Sequence, residues 1–163
     1  MADVLAQAHG VDANAARVAG MLHDLARLYT PERLVAECEA RNMTIDAFER
    51  ANPIVLHARL GAELARDEFG VRDEAVLSAI AKHTLGAAEM SRLDCVVYLA
   101  DGLEPGRSFL ERESIVDLAT RDLKGAMHAT LGSTVVYLAR QGKTVAPQTA
   151  AAARAFGVDP EEV

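Results

Sequence analysis

The chain of 163 residues contains few of the residues that favour β-structure or a disulfide framework. It has no tryptophan, aromatic residues make up only 4% of it, and its two cysteines do not form a Cys-X-X-Cys motif. Strands favour β-branched and aromatic residues, whereas alanine and leucine, which are frequent here, favour helices. The composition therefore predicts an all-α fold, and the length suits one domain.

The chain also lacks clustered positive charge, a long apolar run and a signal sequence. Its formal net charge is −7 and its 17 Lys and Arg residues are scattered, so we expect no nucleic-acid partner. No segment reaches the ~18 consecutive apolar residues of a membrane helix, and no basic segment precedes an apolar one at the N-terminus. We therefore expect a cytoplasmic protein, in which Cys38 and Cys95 are buried free thiols.

Glycine, proline and capping residues divide the chain into helices. The first is expected to end at His9-Gly10, and the last short one follows Pro147. The helices between them are expected over 13–28, from Thr30-Pro31 onwards, and over 54–69, 73–84, 91–101 and 118–140. No repeat or linker separates them, which predicts one domain over residues 1–163, and Ala-rich amphipathic helices suit a homodimer.

Four of these helices carry a titratable side chain on a face whose other residues are apolar or small and are therefore expected to pack in the core. These residues are His23, His57, His83 and Asp101. A single histidine on an apolar face is more often a hydrogen-bonded core residue than a ligand. Several such groups in one core are costly unless they are paired or bind a cation. Imidazole and carboxylate ligands suit iron, manganese or zinc, but periodicity alone does not show that the four helices converge.

Four ordered sequence blocks resemble a known family. They are AGMLHDLARLY, NPIVLHARLGAELA, AIAKHTLG and VVYLADGLEPGR. Together they resemble the HD-domain superfamily and, more narrowly, its YqeK branch, to which the ending YLARQGKTVAPQTAAAARAF is also similar. The resemblance implies a helical HD-domain bundle that hydrolyses diadenosine tetraphosphate symmetrically to two ADP at an iron-containing site.

The same resemblance implies a role for each matched residue. His23 and Asp24 would bind the metal, with Asp24 bridging two ions in a binuclear site and acting as the catalytic carboxylate. Asp101 would complete the first metal site, while His57 and His83 would bind a second metal or the substrate phosphates. Iron is the expected metal, and manganese or another divalent ion is an alternative.

Three further residues are expected to contact the substrate. They are Lys82, Thr84 and Arg107. Arg107 offers a planar guanidinium to phosphate, and Lys82 could reach a phosphate from the residue before His83. Without the resemblance, Thr84 would be interpreted as a helix-end residue bonded to backbone, and Arg107 as an exposed loop residue.

The chain departs from the family pattern at one ligand. HD domains of this kind carry another histidine one helix before the His-Asp pair, and that position falls upstream of Met1. His9 is not expected to replace it, and His128 is likewise unmatched. We therefore expect the first helix to be truncated at its N-terminus and this 163-residue form to bind metal weakly. A measured metal content near one or two ions per chain would contradict this. The missing histidine has three possible explanations: a true start upstream of Met1, a fragment of a longer protein, or a natural variant.

Two other functions remain open on the sequence alone. One is an HD phosphohydrolase that acts on a nucleotide monophosphate or a guanosine alarmone. The other is a nucleotide- or metal-binding HD module without efficient catalysis. Turnover of diadenosine tetraphosphate to ADP would distinguish the expected enzyme from both.

Overall fold

A computed structural model describes residues 1–106 and 112–162, and all regular secondary structure within these residues is helical. The helices, in chain order, are α1 (Ala2–Ala8), α2 (Ala13–Leu22), α3 (Pro31–Ala40), α4 (Ala47–Ala51), a 3-10 helix (Pro53–Val55), α5 (Leu56–Glu68), α6 (Glu74–Lys82), α7 (Arg92–Gly102), α8 (Arg112–Ala119), α9 (Leu123–Arg140) and α10 (Pro147–Ala155). The all-α prediction is therefore confirmed. None of these helices is both long enough and apolar enough to cross a membrane.

Side-chain caps determine where most helices begin. The capping residues are Asp12 for α2, Thr30 for α3, Asp46 for α4, Asp73 for α6, Ser91 for α7 and Asp122 for α9. Each accepts a hydrogen bond from a backbone N–H of the first turn, which would otherwise lack a partner within the helix. The starts predicted at Asp12, Thr30, Asp73 and Ser91 are confirmed.

Helix α7 is the central helix of the bundle. All residues from Leu93 to Ala100 are buried, and the helix packs against α1, α2, α6 and α9. A helix that is buried around its whole circumference belongs in the middle of a core. Beside this main core, α3 and α5 enclose a smaller cluster centred on Leu34, Leu56 and Leu60. Cys38 and Cys95 are buried free thiols, as predicted.

Helix α2 is shorter than predicted. It ends at Leu22, not at residue 28, and tight turns follow it, with Arg27 N–H bonded to the Asp24 carbonyl. The His23 side chain bonds to the backbone at this helix end. Its Nδ1 donates to the Gly20 carbonyl over 2.8 Å, and so competes for the acceptor that the next helical N–H would use.

Two other boundaries differ from the prediction. The segment 118–140 is not one helix, because α8 ends at Ala119 and Asp122 caps a new helix by accepting from Gly125 N–H. The short helix α4 was not predicted, although Asp46 and Glu49 form a capping box that is visible in the sequence. The single domain over residues 1–163 stays a prediction.

Candidate metal centre

Three histidines enter the site with the same local hydrogen bond. His23 and His83 are the C-cap residues that directly follow α2 and α6, and His57 lies in the first turn of α5. In each ring, Nδ1 donates to the carbonyl three residues earlier, over 2.8 Å for His23, 2.6 Å for His57 and 2.7 Å for His83. With the hydrogen on Nδ1, a neutral ring keeps an unprotonated Nε2. Backbone acceptors of this kind orient metal-binding histidines.

The free nitrogens and two carboxylates converge. Asp24 Oδ1 lies 3.3 Å from His57 Nε2 and 3.6 Å from His83 Nε2, while Asp24 Oδ2 lies 3.6 Å from His23 Nε2. Asp101 Oδ1 is 3.7 Å from the same nitrogen of His23. One ligand atom from each of His23, Asp24 and His83 fits within 4.8 Å. The structure thus brings together all five side chains that the sequence predicted as metal ligands.

Two nitrogen lone pairs face each other within this cluster. His57 Nε2 and His83 Nε2 are 3.2 Å apart, although both rings carry their hydrogen on Nδ1. Burial lowers the pKa of His57 and lowers that of His83 to about 4, so neither ring readily takes a proton at neutral pH. Facing acceptors of this kind suit a cation between them, and imidazole with carboxylate suits a first-row divalent metal.

His23 has the opposite electrostatic environment. The nearby Asp101 carboxylate raises the pKa of His23, and its effect outweighs the opposing effect of burial. Asp101 lies in the last turn of α7, so this contact ties the central helix to the end of α2. Asp24 itself lies on the turn after α2 with a side chain 46% exposed, which leaves one side of the cluster open to a ligand.

Comparison with known proteins agrees with this geometry. The family model described as HD domain matches residues 1–106. This chain belongs to the HD-domain family. The crystal structure of a "predicted HD superfamily hydrolase involved in NAD metabolism" from Clostridium acetobutylicum superimposes with a TM-score of 0.91 at 31% identity, over 95% of this chain and 82% of that one. The fold prediction of a helical HD domain is therefore confirmed.

Two curated relatives of this HD domain carry the same name, "Bis(5'-nucleosyl)-tetraphosphatase, symmetrical". The protein from Bacillus subtilis is 35% identical over 145 residues, which cover 89% of this chain and 77% of the relative. The protein from Halalkalibacterium halodurans is 33% identical over 147 residues, which cover 90% and 78%. The similarity thus extends beyond the HD motif to most of the chain, as the four sequence blocks and the C-terminal segment predicted.

The three residues expected to contact substrate in this HD domain have different positions. Thr84 adjoins the cluster, with Oγ1 3.0 Å from His83 Nε2 and 3.2 Å from His57 Nε2, so its hydroxyl can donate to either ring. Arg107 lies outside the described residues. Lys82 donates through Nζ to the Asp94 carboxylate and to the Glu89 carbonyl, both over 3.0 Å.

The pairing of Lys82 indicates a role that the sequence did not predict. Asp94 is buried, and its side chain is only 1% exposed. It belongs to the capping box at the start of α7, while Lys82 immediately precedes His83 at the end of α6. The ion pair therefore connects the helix that carries Asp101 with the helix end that carries His83. The Ser91-X-X-Asp94 spacing gave a sequence signal for the cap but none for the lysine.

Replacing Lys82 distinguishes a structural role, through its ion pair with Asp94, from a contact with a substrate phosphate. We expect Lys82→Met to lower the free energy of unfolding by about 1–3 kcal/mol, because it leaves a buried carboxylate without its cation. Urea denaturation measures the loss, and in an Asp94→Asn background the same substitution should cost much less. Unchanged stability together with a KM for substrate raised more than about tenfold would instead support the predicted phosphate contact.

Gly61 is a further residue of the site that the sequence analysis did not identify. It lies in α5, and a Cβ at this position would be 3.2 Å from the His23 carbonyl oxygen and 3.6 Å from Ile80 Cγ2. The missing side chain lets α5, which carries His57, approach the end of α2, which carries His23. The sequence signal was a glycine within an apolar helical pattern, which indicates close packing.

Gly132 provides a matched control for Gly61. It also lies within a helix, but a Cβ there would meet only Val158 Cγ2, at 3.9 Å. Because alanine favours a helix over glycine, Gly132→Ala should raise the free energy of unfolding by about 0.5–1 kcal/mol. The free energy of unfolding of Gly61→Ala should be about 1–3 kcal/mol lower than that of Gly132→Ala, since the new methyl group displaces packed backbone. If the two substitutions changed the free energy of unfolding equally, in thermal or urea unfolding, the result would contradict the close approach of α5 to the end of α2.

Proposed function

We propose that this HD domain hydrolyses diadenosine tetraphosphate symmetrically to two ADP, with a divalent metal held by His23, Asp24, His57, His83 and Asp101. The observation that carries the proposal is the 3.2 Å approach of two unprotonated Nε2 atoms beside the Asp24 carboxylate. The similarity to two relatives named as symmetrical tetraphosphatases, over about nine-tenths of this chain, supports the choice of substrate.

The reaction consumes one water and one phosphoanhydride bond. The water oxygen bonds to one of the two central phosphorus atoms, and the bridging oxygen between them leaves with the other ADP. The two protons of the water pass to the new terminal phosphates or to solvent. A divalent metal at such a site supplies Lewis acidity toward phosphoryl oxygens and lowers the pKa of water. Iron is the metal we propose, with manganese as the alternative, because both suit imidazole and carboxylate ligands.

The side chains of this chain orient and hold the reactants. The backbone carbonyls of Gly20, Ile54 and Ile80 fix the three rings, so each Nε2 is presented without rearrangement. The half-exposed Asp24 carboxylate borders both the rings and solvent, where it can orient a water molecule toward a phosphate. Thr84 offers a hydroxyl beside the rings, and we propose that it and Arg107 bind the nucleotide phosphates.

Product analysis tests the proposal. The protein is incubated with diadenosine tetraphosphate and added Fe²⁺ or Mn²⁺, and nucleotides are separated by anion-exchange chromatography. We expect ADP as the only product, with no turnover in EDTA. AMP and ATP in equal amounts would show asymmetric cleavage. Nucleotide binding without turnover at saturating metal would indicate a binding module, and turnover of another nucleotide alone would indicate a different HD phosphohydrolase. The homodimer and the cytoplasmic location stay predictions.

A further inference from the structure

A cavity lies away from the histidine cluster, at the other end of α7. Its volume is about 560 Å³. The residues that line it are Ala8, His9, Met90, Arg92, Cys95, Arg121, Asp122, Leu123, Lys124 and Phe156, and we call it the basic groove. Arg92 begins α7 and Asp101 lies near its end, so a rise of 1.5 Å per residue separates the two by about 14 Å. The groove is therefore distinct from the proposed metal centre.

Positive charge dominates the lining of this groove. Arg92, Arg121 and Lys124 carry permanent positive charges, and Asp122 supplies the one carboxylate among the lining residues. That carboxylate accepts a hydrogen bond from Gly125 N–H as the cap of α9. A local excess of positive charge is notable in a chain whose net charge is −7. The groove therefore favours an anionic ligand.

The three cations are only weakly engaged by the protein. Arg92 reaches the His9 carbonyl at 3.4 Å, a long hydrogen bond on the surface. Arg121 pairs with Asp117, but both side chains are more than two-thirds exposed, and such pairs contribute little. Lys124 forms no hydrogen bond or ion pair with the described part of the chain. All three can therefore turn toward a ligand at small cost.

Most of the other residues that line the groove are apolar. Met90, Leu123 and Phe156 contribute hydrophobic surface, and Cys95 adds a thiol that stays neutral because burial raises its pKa to about 12. The His9 ring is held by a hydrogen bond from Nε2 to the Ala119 carbonyl over 2.6 Å. Apolar walls with a few charged groups are typical of small-molecule sites, whose volumes are about 300–1,000 Å³.

We propose that the basic groove binds a small aromatic compound that carries a phosphate group. The guanidinium groups of Arg92 and Arg121 match the geometry of phosphate oxygens, and Lys124 adds a third positive charge. The apolar residues provide the surface for a flat ring. The groove lies at the start of α7 and the metal centre near its end, so such a ligand would not contact the reacting phosphates.

Binding of AMP in EDTA tests this proposal without relying on catalysis. Backbone amide NMR shifts are followed during a titration of ¹⁵N-labelled protein with AMP, adenosine and ribose 5-phosphate. We expect saturable shifts at His9, Lys124 and Phe156, with AMP binding more tightly than either fragment. Absence of saturation, or shifts confined to the histidine cluster, would overturn the proposal.

Charge variants complete the test. The double variant Arg92→Gln/Arg121→Gln should weaken AMP binding by at least tenfold, an effect of about 1.4 kcal/mol. Arg72→Gln, a change at an exposed arginine outside the groove, is the control and should leave binding unchanged. An equal loss in both variants would contradict the assignment to the groove. The dispersion of the amide spectrum verifies that each variant is folded.

Discussion

Replacing Asp24 by asparagine is expected to abolish metal-dependent hydrolysis while leaving the fold intact. Asp24 approaches all three histidines, at 3.3 Å from His57 and 3.6 Å from His23 and His83. Asparagine keeps the shape but removes the negative charge that a divalent metal requires. Changes to residues that merely support metal ligands cost 10–100-fold, so a ligand itself should cost more than about 100-fold.

Asp3 provides a matched control for this change. Its side chain is 45% exposed and pairs with Arg17, whereas Asp24 is 46% exposed. Asp3→Asn should keep full activity toward diadenosine tetraphosphate, and both variants should unfold within about 1 kcal/mol of the parent protein. Activity is measured as ADP release at saturating Mn²⁺. An Asp24→Asn protein that retains more than a tenth of the activity would contradict a role for Asp24 in the reaction.

His83→Gln is expected to separate metal binding from folding. Without metal, His83 Nε2 faces the unprotonated Nε2 of His57 at 3.2 Å, and its low pKa, about 4, prevents a proton from relieving that contact. A glutamine amide can donate to His57 instead. We therefore expect the metal-free variant to be about as stable as the parent protein. Added metal should raise the melting temperature of the parent protein but not that of the variant.

The size of this effect follows from mass action. A metal at 100 times its dissociation constant stabilises the folded state by about 2.7 kcal/mol. His128→Gln is the control, because His128 lies on the surface with Nδ1 bonded to the Phe156 carbonyl, outside the cluster. That variant should keep the metal-dependent rise. If His83→Gln shows the same rise as the parent protein, His83 is not a ligand.

The sequence predicted the components of the site better than their arrangement. The spacing of His23, His57, His83 and Asp101 on packing faces was visible because helical periodicity is a local property. Their convergence is a tertiary property, and only the resemblance to HD domains indicated it. The hydrogen bonds from each Nδ1 to a carbonyl three residues earlier depend on where a helix ends, which local propensity does not resolve.

Two differences between the structure and the sequence-based predictions have related physical origins. Helix α2 was extended to residue 28 because its apolar pattern continues, but the His23 side chain competes for the Gly20 carbonyl and α5 packs against the end of the helix at Gly61. Lys82 was assigned to a substrate phosphate because it precedes His83, whereas its Nζ pairs with Asp94 from the next helix. A residue from another helix contributes to each difference, Gly61 for the end of α2 and Asp94 for Lys82.

Diffraction from crystals soaked in Mn²⁺ shows directly whether the histidine cluster binds a metal. Data collected near the manganese absorption edge locate the ion by anomalous scattering, independently of activity. We expect a peak within about 2.0–2.3 Å of Nε2 of at least two cluster histidines and of an Asp24 oxygen. We also expect the peak to disappear in Asp24→Asn crystals. A protein that hydrolyses diadenosine tetraphosphate with Mn²⁺ while its crystals show no peak at this cluster, or a peak only elsewhere, would contradict the account.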